Sequence, residues 1–148
     1  MADLDVTLRP GTDGILDLPW LTPLTEWPEE LLVDLPRGIS RHEVRFVQLP
    51  DQLIVVKELP ERAARNDFTI LKALEDERVP SVTPLGVITG RTDDPYEEAS
   101  SALVTLYEPY SYSYRQLIQG SGFGGWRTRM LDAFAGLLVE LHLIGLFW

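Results

Sequence analysis

The stretch Leu53–Leu59, reading LIVVKEL, constrains the fold of this chain more than any other. It is rich in β-branched residues on both of its faces, which predicts a central strand buried on two sides. Just before it, HEVRFVQL alternates, with Val44, Phe46 and Gln48 on one face, and PDQ supplies a short turn between the two runs. The pair therefore reads as an antiparallel hairpin. Just after it, PERAARNDFTILKALEDER reads as a helix, with Pro60 in the first turn, where a missing N–H costs nothing. ELLVDLP upstream, and LGVITG and SALVTLY downstream, read as further strands. The order strand, strand, strand, helix, strand, strand favours an α+β fold with an antiparallel sheet, because short hairpins can join the first three strands.

The flanks are less regular. Residues 1–30 are rich in Pro, Gly and Asp and read as an irregular leader, with Trp20, Leu21, Leu24 and Trp27 laid on the surface as a strap. After SALVTLY come a connector (EPYSYS), a short helix (YRQLIQ), a glycine-rich turn (GSGFGG), and a long helix from Trp126 to Phe147. The last is apolar over most of its length and is expected to be mostly buried. It is interrupted by Arg129, Asp132, Glu140 and His142, so no membrane span is expected.

Composition narrows the function classes. A chain of 148 residues has the length of one ordinary domain. A net charge of −10 argues against a binder of nucleic-acid backbones, so no nucleic-acid partner is expected. With no cysteine, disulfides, thiolate nucleophiles and cysteine-ligated zinc are excluded, and a reducing cytoplasm suits the chain. The two histidines, His42 and His142, are too few and too far apart in sequence to suggest a metal centre. The acidic start has no apolar core of a secretory signal, which again points to the cytoplasm.

Two residues break the apolar pattern. Side chains alternate along a strand, so Leu53, Val55, Lys57 and Leu59 share a face, and a lysine stands in an apolar row. On the helix, successive residues advance about 100°, and Asp67 falls among Ala63, Ala64, Phe68, Ile70, Leu71 and Leu74. A charged group in either place needs a partner, so the helix is expected to lie on the sheet with Asp67 directed at Lys57. The alternative is a lysine that snorkels to the strand edge.

A lysine on the third strand paired to an acid on the next helix resembles the N-lobe of the protein-kinase-like superfamily, in which the lysine contacts nucleotide phosphates. With RGISRHEV, VVKEL and the Leu-His-x-x-Gly ending of LHLIGLFW, residues 31–148 look most like an uncharacterised bacterial domain-of-unknown-function family with a lipopolysaccharide-kinase-like fold. The resemblance implies an N-lobe over residues 31–107, with a five-stranded antiparallel sheet and one helix. It implies a hinge at 108–112 and the start of a helical C-lobe at 113–148. It also implies a nucleotide site. Gly38, Ser40 and Arg41 would lie over the phosphates, Val55 over the adenine, Lys57 and Asp67 at the phosphates, and Thr105 as gatekeeper. Leu106 and Tyr107 would offer backbone groups to the base.

The match has departures. The phosphate loop has one glycine, Gly38, in place of three, and an ordinary turn capped by Ser40 accounts for RGIS equally well. The acid is an aspartate, one methylene shorter than the usual glutamate. A kinase-like chain needs an aspartate base and Mg²⁺ ligands after the Leu-His-x-x-Gly helix, and LHLIGLFW is followed by none. No catalytic and no metal-binding residue is therefore assigned. ATP and Mg belong to the complete family member, with weak nucleotide binding or none expected here. Asp93, Asp94, Glu97 and Glu98 read as a solvated loop. The competing expectation is a non-catalytic binding or regulatory module. It would dock through residues 126–148 on a missing C-lobe, on another chain or on a second copy.

Overall fold

The computed structural model describes residues 3–112, 114–120 and 125–147. It forms two compact units, residues 1–73 with 82–107, and residues 74–81 with 108–148.

The first unit is built on one antiparallel sheet of six strands. These are β1 (Asp5–Leu8), β2 (Leu32–Val33), β3 (Val44–Gln48), β4 (Leu53–Leu59), β5 (Pro84–Thr89) and β6 (Ser101–Leu106), in spatial order β1-β5-β6-β4-β3-β2. The helix α1 (Glu61–Asp76) follows β4 directly. All five strands expected from the sequence form, and LIVVKEL sits centrally between β3 and β6. The sheet has six strands rather than five because part of the leader is a strand. DVTL pairs with β5 from Asp5↔Thr89 to Leu8↔Gly86. Close pairing here depends on Gly90, whose φ of +71° suits glycine and where a Cβ would overlap the Asp3 carbonyl oxygen.

The leader also corrects the expectation of a surface strap. Ile15, Leu18, Trp20, Leu24 and Trp27 are buried against Val47, Ile54, Val56, Ile88 and Val104, while Leu21 alone of the four named leader residues is mainly exposed. The physical reason lies in β4. Its Ile54 and Val56 point away from α1, so that face of the sheet needs its own apolar cover, and the leader is that cover. Trp20 and Trp27 pack edge to face with ring centroids 5.2 Å apart. Their indole N–H groups donate to the carbonyls of Ile15 (2.7 Å) and Thr22 (2.9 Å), which lets both rings be buried. On the opposite face, Leu59, Val87 and Leu103 pack under Ala63, Ala64, Phe68 and Leu71 of α1.

The second unit contains α2 (Tyr114–Gln119) and α3 (Trp126–Leu143). α3 stops at Leu143, short of the Phe147 expected from the sequence, because the chain turns at Gly145. Gly145 adopts φ of +85°, its N–H donates to His142 O, and the Leu146 N–H donates to Leu141 O, a left-handed helix stop. Its burial differs from expectation. Leu131, Phe134, Val139 and Leu143 are exposed, and Leu141 is buried. A helix apolar nearly all round needs neighbours on every side, and among the described residues of this unit α3 has α2, residues 74–81 and residues 108–112 to pack against. Among the described residues, no helix is long and apolar enough to cross a membrane. The glycine-rich turn at residues 121–124 and the terminal Trp148 lie outside the described residues.

Candidate functional site

The site is set by the register of β4. Lys57 lies opposite Val44 on one neighbour and Leu103 on the other, so its side chain rises from the middle of three strands. On that face α1 crosses the sheet and brings Asp67 to it, with Lys57 Nζ 3.7 Å from Asp67 Oδ2. The two side chains are 32% and 41% exposed, so the pair is half-buried rather than sealed. At 3.7 Å the contact is an ion pair without a direct hydrogen bond. An ammonium carries three donors, and a carboxylate at this distance does not take them all.

The pair stands at a cleft of about 340 Å³ whose walls are mainly apolar. Val44, Val55, Leu103 and Thr105 form the sheet side, and Ile70 and Leu71 the helix side. Val55 and Thr105 face each other across β4 and β6. The structure therefore brings together Val55, Lys57, Asp67 and Thr105. The arrangement is an apolar slot with a cation and a carboxylate at one point on its wall. It is suited to a ligand with one flat apolar part and one anionic part.

The other residues expected at a nucleotide site are placed differently. Gly38, Ser40 and Arg41 lie on the loop between β2 and β3 and are not part of the cleft lining. Gly38 has open space around it and no positive φ, so nothing local demands glycine there. Ser40 Oγ accepts the His42 N–H at 3.1 Å, the contact expected of an ordinary turn. Arg41 Nε–H donates to His42 Nε2 at 3.2 Å. The Leu106 N–H donates to Thr83 O (2.9 Å) and the Tyr107 N–H to Leu53 O (3.0 Å), so both donors are spent inside the sheet. The Tyr107 ring meets Phe46 edge to face at 5.7 Å.

Sequence reasoning missed the most buried ion pair among the described residues. Glu58, next to Lys57 and on the opposite face, is held by Arg91 at 2.8 Å, with the side chains 6% and 2% exposed. Arg91 also donates to Trp20 O (2.6 Å) and Thr22 O (2.7 Å), and Glu58 Oε1 accepts the Leu24 N–H at 2.9 Å. Its guanidinium lies over the Trp20 ring at 5.9 Å. The signal was available. Alternation puts Glu58 in the row of Ile54 and Val56, as much out of place there as Lys57 is in its own row.

A second depression, of about 1020 Å³, lies at the start of α1 between Arg62, Arg65 and Tyr96. It is wide and shallow, and Arg65 is already held by Asp5 (2.9 Å) and Glu61 (2.9 Å). Those bonds, Asp5 first and Glu61 second, raise the Arg65 guanidinium above its ordinary value, so its charge is committed. The smaller cleft over Lys57 is the better candidate, because its charged groups face an apolar slot. No family model, curated protein or solved structure matches this chain.

Proposed function

We propose that this chain is part of a kinase-like protein and that the Lys57–Asp67 cleft holds the phosphate-bearing end of a nucleotide. The observation that carries this reading is the meeting of Lys57 and Asp67 at the mouth of an apolar slot. The strand that carries the lysine is followed directly by the helix that carries the acid, which is the arrangement of a kinase N-lobe. The acid orients the ammonium, and the ammonium meets phosphate oxygens. Val55 and Thr105 provide the floor for the base. The shorter aspartate fits the separation of 3.7 Å, which leaves room for a bridging water or for closure of α1 on binding. The proposal is limited to holding the nucleotide, with Mg²⁺ as its companion ion, and no step of phosphoryl transfer is assigned to these residues. Binding is expected to be weak, because Leu106 and Tyr107 have already spent their N–H groups and Arg41 is engaged by His42. Calorimetric titration with Mg·ATP tests it. Measurable heat that disappears in Lys57→Met, with the circular dichroism spectrum retained, is the expected result. Equal binding by wild type and Lys57→Met, or no binding by the wild type, removes the proposal.

A second reading is favoured by the exposure of Leu131, Phe134, Val139 and Leu143 on α3. Here the chain is a binding or regulatory module that docks through α3 on a partner or on a second copy. Size-exclusion chromatography with light scattering separates the cases. A monomer that stays monodisperse at high concentration counts against self-association.

A further inference from the structure

The loop of residues 90–100, read from the sequence as a solvated acidic connector, touches three separate parts of the first unit. Arg91 at its start grips the leader through the Trp20 and Thr22 carbonyls. Pro95 in its middle offers its carbonyl to the Glu61 N–H at 3.1 Å, the first backbone donor of α1. Glu98 near its end meets Nδ1 of His42, on the loop between β2 and β3 that carries Gly38, Ser40 and Arg41. The loop is itself braced. Asp94 Oδ1 accepts the Tyr96 N–H at 2.9 Å, and the Ser100 hydroxyl donates to Pro95 O at 3.1 Å.

His42 is the point on which the β2–β3 loop is held. Its side chain is only 11% exposed, whereas Glu98 is 60% exposed. Arginine Nε is a donor only, so its bond to His42 Nε2 requires that nitrogen to be the acceptor. The ring proton is then on Nδ1 and donates to the Glu98 carboxylate. One imidazole thus joins Arg41 on one loop to Glu98 on the other. The His42 backbone N–H is taken up by Ser40 in addition. β2 pairs with β3 over two residues only, and Arg37 reaches Val44 O and Glu43 at the base of the loop.

We infer that the 90–100 loop is a clasp, and that the His42–Glu98 contact sets the position of the β2–β3 loop relative to α1. The same clasp holds the N-terminus of the helix that carries Asp67, through the Pro95 carbonyl. In this state Arg41 is held by His42. A ligand that recruits Arg41 has to displace it from the imidazole Nε2, while the Glu98 bond at Nδ1 persists and the clasp stays closed. Glu98 and His42 are positioning residues, and the inference stands on contacts that do not depend on nucleotide binding.

Limited proteolysis reads the clasp directly, because Arg37 and Arg41 are tryptic sites within the restrained loop. Loss of a charge-assisted contact raises the population of the open loop, so Glu98→Ala is expected to increase the initial rate of cleavage after Arg37, a bond that none of the variants alters, by about tenfold. His42→Ala should do the same, and the double variant should cleave no faster than either single one. Glu97→Ala, which removes a neighbouring carboxylate outside the contact, should leave the rate within about twofold of wild type. Circular dichroism checks that each variant keeps its fold, and Glu98 is exposed enough that it should. A Glu98→Ala rate equal to wild type overturns the clasp. So does an equal acceleration in Glu97→Ala, or strict additivity of the two clasp variants. Mg·ATP titration of Glu98→Ala is a separate arm. Absence of nucleotide binding in the wild type would remove the proposed function and leave the proteolytic result as it stands.

Discussion

Lys57 and Glu58 are neighbours on one strand, and their side chains leave the sheet on opposite faces into unlike surroundings. Glu58 is sealed under the leader, 2.8 Å from Arg91, and its pair is joined by the Leu24 N–H and the carbonyls of Trp20 and Thr22. Lys57 is half exposed, 3.7 Å from Asp67, and faces an open slot. The first pair has several further partners and ties a segment of chain to the sheet. The second is loose and has capacity to spare. A buried charged pair held by several further hydrogen bonds acts as architecture, whereas a half-exposed pair at a cleft is available to a ligand. The same type of pair therefore has two meanings, and the surroundings decide which applies.

The largest expected effect would break the architectural side of this comparison. Arg91→Ala leaves Glu58 buried without its partner, strips the Trp20 carbonyl of its donor and leaves the Thr22 carbonyl with the Trp27 indole N–H alone. A loss of about 3–5 kcal/mol is expected in urea denaturation of the purified protein. Replacing both members together, Glu58→Leu with Arg91→Met, should restore less than the usual apolar exchange does. The Trp20 carbonyl still lacks its donor and the Leu24 N–H has lost its acceptor. Full recovery would show that the leader contacts of Arg91 are incidental.

Next in size is Leu24→Ala. Leu24 is fully buried between leader and sheet, so a loss of about 2–5 kcal/mol is expected by the same measurement. A change typical of a surface site would return the leader to the role of a strap. Gly90→Ala comes third, with a loss of about 1–3 kcal/mol, because both the positive φ and the approach of Asp3 oppose a side chain. Hydrogen exchange should show the loss concentrated at the β1–β5 edge.

The smallest stability effect is expected at the other pair. Lys57→Met should change stability by no more than about 1 kcal/mol, since the pair is partly solvated and the methionine stem keeps the apolar contacts of lysine. Its effect should appear in nucleotide titration instead. A Lys57→Met loss as large as that of Arg91→Ala would erase the distinction between the two faces.

The central architecture was legible in the residues. LIVVKEL announces a strand buried on two sides, and the amphipathic run after Pro60 announces the helix that covers it. The convergence of Lys57 and Asp67 followed from two local periods, 2 along the strand and 3.6 along the helix, because each puts a charge in an apolar row. The leader was not legible in the same way. Its apolar residues, Trp20, Leu24 and Trp27, have no strand or helix period, so their pattern does not say which surface they cover. Glu58 carried the same periodic signal as Lys57, but its partner lies 33 residues away in a loop, and no local pattern connects the two. The Glu98–His42 contact spans 56 residues and has no periodic signature at all.

The sequence by itself determined the strands, the helix between them, and the face on which Lys57 and Asp67 each stand. Those follow from backbone geometry, which repeats over a few residues and so is written locally. Only the tertiary structure decided that the leader forms a sixth strand and the second core layer. It also decided that Glu58 and Arg91 lock that layer, and that an acidic loop clasps the loop of Ser40, Arg41 and His42. These depend on which distant segment satisfies a buried polar group or covers an apolar face. Many segments of a chain can do either, and the choice is made when the whole unit packs.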